Sequence, residues 1–186
     1  MPELPEVETV INGLKPAMLN KTIKSVETTR KNLRYDFPNN LDKITKGADI
    51  LDMKRFSKYI VIRLSTGWSL ISHLGMSGKY TVHSYERNEP VEIVKHDHII
   101  FYMEDGGTII YNDPRRFGFL IACKTDDEKN EKHLSKLGID PTDKKLTADY
   151  IYNKFQKSKS NLKTALMNQS IISGLGNIYV CEAMYR

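Results

Sequence analysis

The stretch KYIVIRLSTGWSLISHL, residues 58–74, decides how the fold is read. β-Branched and aromatic residues crowd both halves, and Ser65-Thr66-Gly67 breaks the middle. Two short apolar runs around a glycine-bearing break predict a β-hairpin. HDHIIFYM (96–103) and TIIYND (108–113) repeat the arrangement around Glu104-Asp105-Gly106-Gly107 and predict a second one. FGFLIAC (117–123) supplies a further strand, and the charged run KTDDEKNEKH (124–133) reads as a surface connection. The middle of the chain is a β-rich body.

Helical signals flank that body. Before it, Val7, Val10, Ile11, Leu14 and Met18 fall at helical spacing after Pro5, and Pro16 is expected to end or kink that helix. After it, LTADYIYNKFQKS opens a helix with Thr147 as N-cap. NLKTALMNQSII predicts a second helix, Gly174-Leu175-Gly176 a tight break, and NIYVCEAMYR the start of a third, which stops at Arg186 without a cap. There are no internal repeats. The expected class is α+β, divided into residues 1–143 and 144–186.

Bulk properties exclude several roles. Hydrophobic residues make up 40% and charged residues 27% of the 186, ordinary for a globular protein with a real core. The acidic start lacks the apolar stretch of a secretory signal, and no run approaches the ~18 apolar residues of a membrane span, so a soluble intracellular protein is expected. Cys123 and Cys181 sit in apolar contexts and read as buried free thiols. The net charge of +5 is concentrated: residues 144–186 hold seven basic residues against Asp149 and Glu182, so the remainder is neutral. A basic module on a neutral body suits an anionic partner such as nucleic acid, although lysine-rich helices are also common as plain solvated faces.

The first six residues, MPELPE, carry possible chemistry. Removal of Met1 leaves Pro2 as a secondary amine, and α-amino groups titrate near ~8, so part is neutral and nucleophilic at physiological pH. With Met1 retained, Pro2 is an amide and cannot attack. On reaching an aldehyde carbon, a secondary amine yields a permanently charged iminium, an electron sink. Glu3 and Glu6 then stand ready as proton donor or acceptor. The plainer alternative is that the prolines stiffen a helix start and the acids favour its dipole.

Five ordered stretches bear on that choice. MPELPEVETV resembles the amino terminus of formamidopyrimidine-DNA glycosylases, bacterial base-excision enzymes acting on oxidised purines. KRFSKYI (54–60), HLGMSG (73–78) with KHDH (95–98), NDPRRFG (112–118) and SGLGNIYVCEA (173–183) match further family motifs in order. The resemblance implies an N-terminal antiparallel β-sandwich behind a helix, then an incomplete helix–two-turns–helix DNA-binding domain. It also implies a monomer acting on double-stranded DNA in the bacterial cytoplasm, at the nucleoid.

By that resemblance Pro2 attacks C1′ of the damaged nucleotide and β,δ-elimination follows. Glu3 protonates the sugar ring oxygen, Glu6 supports proton traffic, and Lys58, on a strand, binds a phosphate beside the lesion. Met76 and Phe117 fill the void left by an extruded base, as apolar side chains can replace lost stacking, and Arg115 reads the orphaned cytosine. The alternative for Met76 and Phe117 is a core position. Arg116 and His73 grip phosphates. Gly174-x-Gly176-Asn177 forms a phosphate site at a helix N-terminus, aided by Tyr179. Lys157, Lys159 and Lys163 supply diffuse attraction. His96 and His98 read as structural or phosphate-facing.

The family usually continues into a C-terminal zinc finger built on cysteines, with a loop over the extruded purine; neither is in this sequence, so no cofactor is expected in this chain. The rival expectations are therefore a bifunctional glycosylase/lyase and a catalytically impaired DNA-binding fragment of the same family.

Overall fold

The computed structural model describes residues 2–85, 91–156 and 158–186; Met1 and Lys157 lie outside the described residues. Helix α1 (Leu4–Met18) precedes strand β1 (Ile23–Thr28), the short helix α2 (Leu41–Thr45), and strands β2 (Ile50–Phe56), β3 (Tyr59–Leu64), β4 (Trp68–His73), β5 (Lys79–His83), β6 (Asp97–Met103), β7 (Thr108–Asn112) and β8 (Phe119–Lys124). Helices α3 (Ala148–Phe155), α4 (Leu162–Leu166) and α5 (Asn177–Tyr185) follow.

The strands form two four-stranded sheets, ordered β1-β6-β7-β5 and β2-β3-β4-β8, and every adjacent pair is antiparallel. The hairpin over 58–74 is β3–β4, with Tyr59 opposite His73, and the second hairpin is β6–β7. One apolar core joins both sheets to α1 through Phe101, Tyr111, Ile62, Leu70, Ile11 and Leu14. The result is an α+β molecule with an antiparallel sandwich behind an N-terminal helix.

Pro16 does not end α1: it lies inside the last turn, and the helix stops only after Met18. An interior proline costs about 3 kcal/mol. Val7, Ile11, Leu14 and Met18 are all buried, and each such side chain contributes roughly 1.5–3 kcal/mol, so burial wins. Thr147 caps α3 as expected, its hydroxyl accepting from the Tyr150 N–H. The helix expected over 161–172 shrinks to α4, because Asn168 and Gln169 turn the chain: Ser170 N–H donates to Asn168 Oδ1, and Gln169 grips Met167 and Leu175 carbonyls.

The charged run after β8 is more than a surface connection. It forms a 3₁₀ turn (Thr125–Asn130) that buries Glu128 against Arg63, with two N–H···O bonds of 2.7 and 2.8 Å, and against Ser69. Cys181 is exposed and Cys123 half-buried, so neither matches the expected buried thiol; α5 buries only Val180. Among the described residues no helix is long and apolar enough to cross a membrane.

Candidate active site

The N-terminus and the distant α5 meet. Gly174 adopts φ +95°, and Leu4 N–H donates to its carbonyl at 3.1 Å. A Cβ on Gly174 would sit 2.7 Å from Leu4 Cδ1, and one on Gly176 2.5 Å from the Glu3 carboxyl carbon. The left-handed backbone requires glycine at 174, and the bare Gly176 leaves room for the Glu3 carboxylate. Gln169 locks the turn from behind, accepting from Gly174 N–H and donating to the Leu175 carbonyl, both at 2.8 Å.

Glu3 is buried, and its carboxylate accepts from Gly176 N–H at 2.6 Å and Ile178 N–H at 2.9 Å. The α5 N-terminus is an anion site, as its glycines suggest, but the anion is Glu3. Glu3 thus takes the Gly176 and Ile178 N–H groups of the turn at which a phosphate is expected. Asn177 itself is exposed beside it. Tyr179, expected to help hold phosphate, donates its hydroxyl to Glu6 Oε1 at 3.1 Å, while Glu6 Oε2 accepts the Glu3 N–H at 2.9 Å. Burial pushes the Glu6 carboxyl up, but the hydrogen bonds from backbone N–H groups and Tyr179 prevail and hold it below the usual carboxylate range. The peptide that carries Pro2 is thus held through its N–H by Glu6, which Tyr179 holds in turn.

Lys58 lies in the turn between β2 and β3, not on a strand, next to Ser57 at φ +57°. Only 6% of it is exposed. Burial lowers its pKa, and the nearby Glu3 and Glu6 carboxylates act the other way. Arg55, from the same motif, donates to Glu8 and to Asp140 at 2.7 Å each and to the Ser57 carbonyl at 3.1 Å. It braces the lysine turn against α1 and the connection toward α3. Nothing in the motif reading singled out Arg55; its neighbours are distant in sequence.

A second group surrounds an open cavity of about 580 Å³ lined by Arg34, His73, Gly75, Met76, Arg116 and Phe117. Met76 and Phe117 are 43% and 48% exposed, which removes the core alternative for both. The Arg115 guanidinium lies 4.9 Å from the Phe117 ring centroid. Arg116 adopts φ +59°, a left-handed conformation costing a non-glycine residue about 1–2 kcal/mol, and donates its N–H to the Asp113 carbonyl. Arg34 is an addition that sequence reading missed. Lys159 is exposed after α3, and Lys163 lies on α4.

His73 stacks on Phe119 at 5.3 Å, and its Nδ1 accepts the Gly75 N–H at 3.0 Å. Burial first, then the positive charges of Lys58 and Arg34, lower its pKa from 6.5 to about 4. The ring is neutral near pH 7, with Nδ1 as acceptor and the N–H on Nε2. An unfolded chain takes up this proton first; the stabilisation is therefore complete above about 6.5 and lost as pH falls toward about 4. Between pH 7 and 4.5, wild type should lose on the order of 2 kcal/mol more unfolding free energy than His73→Gln, after discounting for partial exposure. Urea titrations at both pH values check this; equal losses would refute it.

His98 is buried, and its Nε2 pairs with the Asp113 carbonyl at 3.0 Å. It is the extra residue of a β-bulge between Asp97 and Ile99, which turns its side chain under the 113–118 loop. Among the described residues no three His, Cys, Asp or Glu side chains are grouped to hold a metal ion.

Comparison with known proteins places the chain among relatives of the same fold. The Formamidopyrimidine-DNA glycosylase N-terminal domain matches residues 1–120, and the Formamidopyrimidine-DNA glycosylase H2TH domain matches 137–186. The formamidopyrimidine-DNA glycosylase of Ruegeria sp. (strain TM1040) is 41% identical over 191 residues, covering 100% of this chain and 67% of that protein. That of Methylocella silvestris is 42% identical over 193 residues, covering 100% and 66%. The chain spans about two thirds of the length of the curated relatives it matches. The Lactococcus lactis Fpg in complex with abasic-site DNA superposes with a TM-score of 0.87 at 34% identity, covering 98% of this chain and 66% of that one; its complex with FAPY-dG-containing DNA gives the same score. The chain belongs to the formamidopyrimidine-DNA glycosylase family.

Proposed function

We propose that this protein excises oxidised purines, such as 8-oxoguanine and formamidopyrimidines, from duplex DNA and then cleaves the strand as an AP lyase. Residues 1–143 carry the chemistry and 144–186 part of the DNA grip. The observation that carries this reading is the clamp around Pro2: Glu6 on its peptide, Glu3 on α5, and a buried lysine beside both. Relatives solved on abasic-site and FAPY-dG DNA support the substrate class.

The Pro2 nitrogen, free once Met1 is removed, forms a bond to C1′, and the base leaves with the glycosidic electron pair. Glu3 supplies a proton to the ring oxygen as the sugar opens, leaving a C1′ iminium. The iminium acidifies the C2′ proton; its loss expels the 3′ phosphate, and a second elimination expels the 5′ phosphate. Water finally releases Pro2. Lys58, Arg116, His73, Asn177 and Lys159 hold phosphates around this centre, while Met76 and Phe117 occupy the void.

Incubation with a duplex carrying one 8-oxoguanine opposite cytosine tests the reading. A gap bearing phosphate at both ends is expected. Binding without incision would leave the DNA-binding fragment instead. Arg115→Ala should erode the preference for cytosine over adenine opposite the lesion by about tenfold, the worth of one good base contact. An unchanged opposite-base profile would sink that role.

A further inference from the structure

Met76 and the Arg115–Phe117 segment stand on different loops, one after β4 and one after β7, yet a single buried carboxylate ties both. Asp113 is fully buried, and each of its polar groups is engaged. Its Oδ1 accepts from the Ser77 hydroxyl at 2.5 Å, and its Oδ2 from Gly118 N–H at 2.8 Å. Its N–H donates to the His96 carbonyl at 3.0 Å, and its own carbonyl pairs with His98 Nε2 at 3.0 Å. Ser77 completes the connection by accepting the Arg115 N–H at 3.1 Å.

The backbones also touch. Gly75 adopts φ +61°, and a Cβ there would lie 2.5 Å from the Phe117 carbonyl carbon. Ser77 therefore holds its partner loop at two points: a charged hydrogen bond below, at Asp113, and the amide of Arg115 above. Hydrogen bonds to a buried ionised group are stronger than neutral ones.

We infer that Ser77 and Asp113 form a latch that makes the Met76 loop and the Arg115–Phe117 loop move into a duplex as one preorganised wedge. Two exposed apolar side chains on independent loops would each lose freedom on insertion; joined loops lose it during folding instead. Ser77 is a positioning residue here: it touches no substrate atom. The inference rests on the proposal that the protein enters damaged duplexes.

The test follows 2-aminopurine placed opposite a tetrahydrofuran abasic analogue, by stopped-flow fluorescence with the full protein, so that no bond need be cleaved. Ser77→Ala should slow the insertion step about tenfold, as expected for losing a hydrogen bond to a charged group, while affinity for undamaged duplex stays within about twofold. Ser77→Thr keeps the hydroxyl and should restore the rate to within about threefold of wild type. Insertion by Ser77→Ala at the wild-type rate overturns the latch. So does equal slowing by alanine and threonine, which would indicate mere packing, or the absence of any insertion step in wild type. Borohydride trapping run in parallel on a duplex with a true, aldehydic abasic site separates the two ideas: insertion without trapping removes the glycosylase proposal and leaves the latch standing.

Discussion

Pro2→Gly should lower single-turnover excision of 8-oxoguanine by on the order of 10³-fold or more, the scale seen when a covalent nucleophile is removed. The Kd for an abasic-analogue duplex should stay within about twofold, under 0.5 kcal/mol. The asymmetry follows from chemistry. Proline's secondary amine gives an iminium whose charge cannot be lost by deprotonation; glycine's primary amine gives an imine that must be protonated before it withdraws electrons. The position also matters, because the Pro2–Glu3 peptide is pinned by Glu6 and the next residue by Gly174. Glycine loosens that pin. Equal loss of binding and excision would count against the assignment.

Glu3→Gln should be nearly as damaging, through two separable routes. The carboxylate receives N–H donors from Gly176 and Ile178 at the start of α5, a place where the helix dipole favours negative charge. An amide presents its own donors to one of those N–H groups. Losing a hydrogen bond to a charged group costs about 1.5–3 kcal/mol, so a clear drop in urea midpoint is expected. Removing a proton donor costs a further 10²–10⁴-fold in excision, roughly. Glu3→Asp separates the routes: it keeps an acid but falls short of α5, so its excision should exceed that of Glu3→Gln at comparable stability. A Glu3→Gln protein as stable and as active as wild type would remove both roles.

These two residues show how far the sequence carries. Pro2, Glu3, Glu6, Lys58, Met76, Arg115 and Phe117 were readable because each stands within a short motif, and hairpins β3–β4 and β6–β7 because their apolar runs are unbroken. Strands β1 and β2 escaped notice because a register shift interrupts each near its start, at Ile23/Ser25 and Ile50/Asp52, and spoils the period-two pattern. β5 is an edge strand with little buried surface and no apolar run to betray it.

At Gly174–Asn177 the limit has a different origin. Glycines before a helix do announce an anion site, but the sequence cannot say which anion comes. Here it is a side chain 173 residues away from Gly176. Asp113, Ser77 and Arg55 were missed for the same reason. Each acts by joining segments that only the fold brings together, and no local spacing encodes such a contact.

The most direct test of the central claim is borohydride reduction of the protein on an abasic-site duplex, read by intact mass with the N-terminus resolved. The account predicts a covalent adduct on chains lacking Met1, mapped to Pro2, and none on chains that retain it. Met1-free protein that binds the duplex but yields no adduct would contradict it.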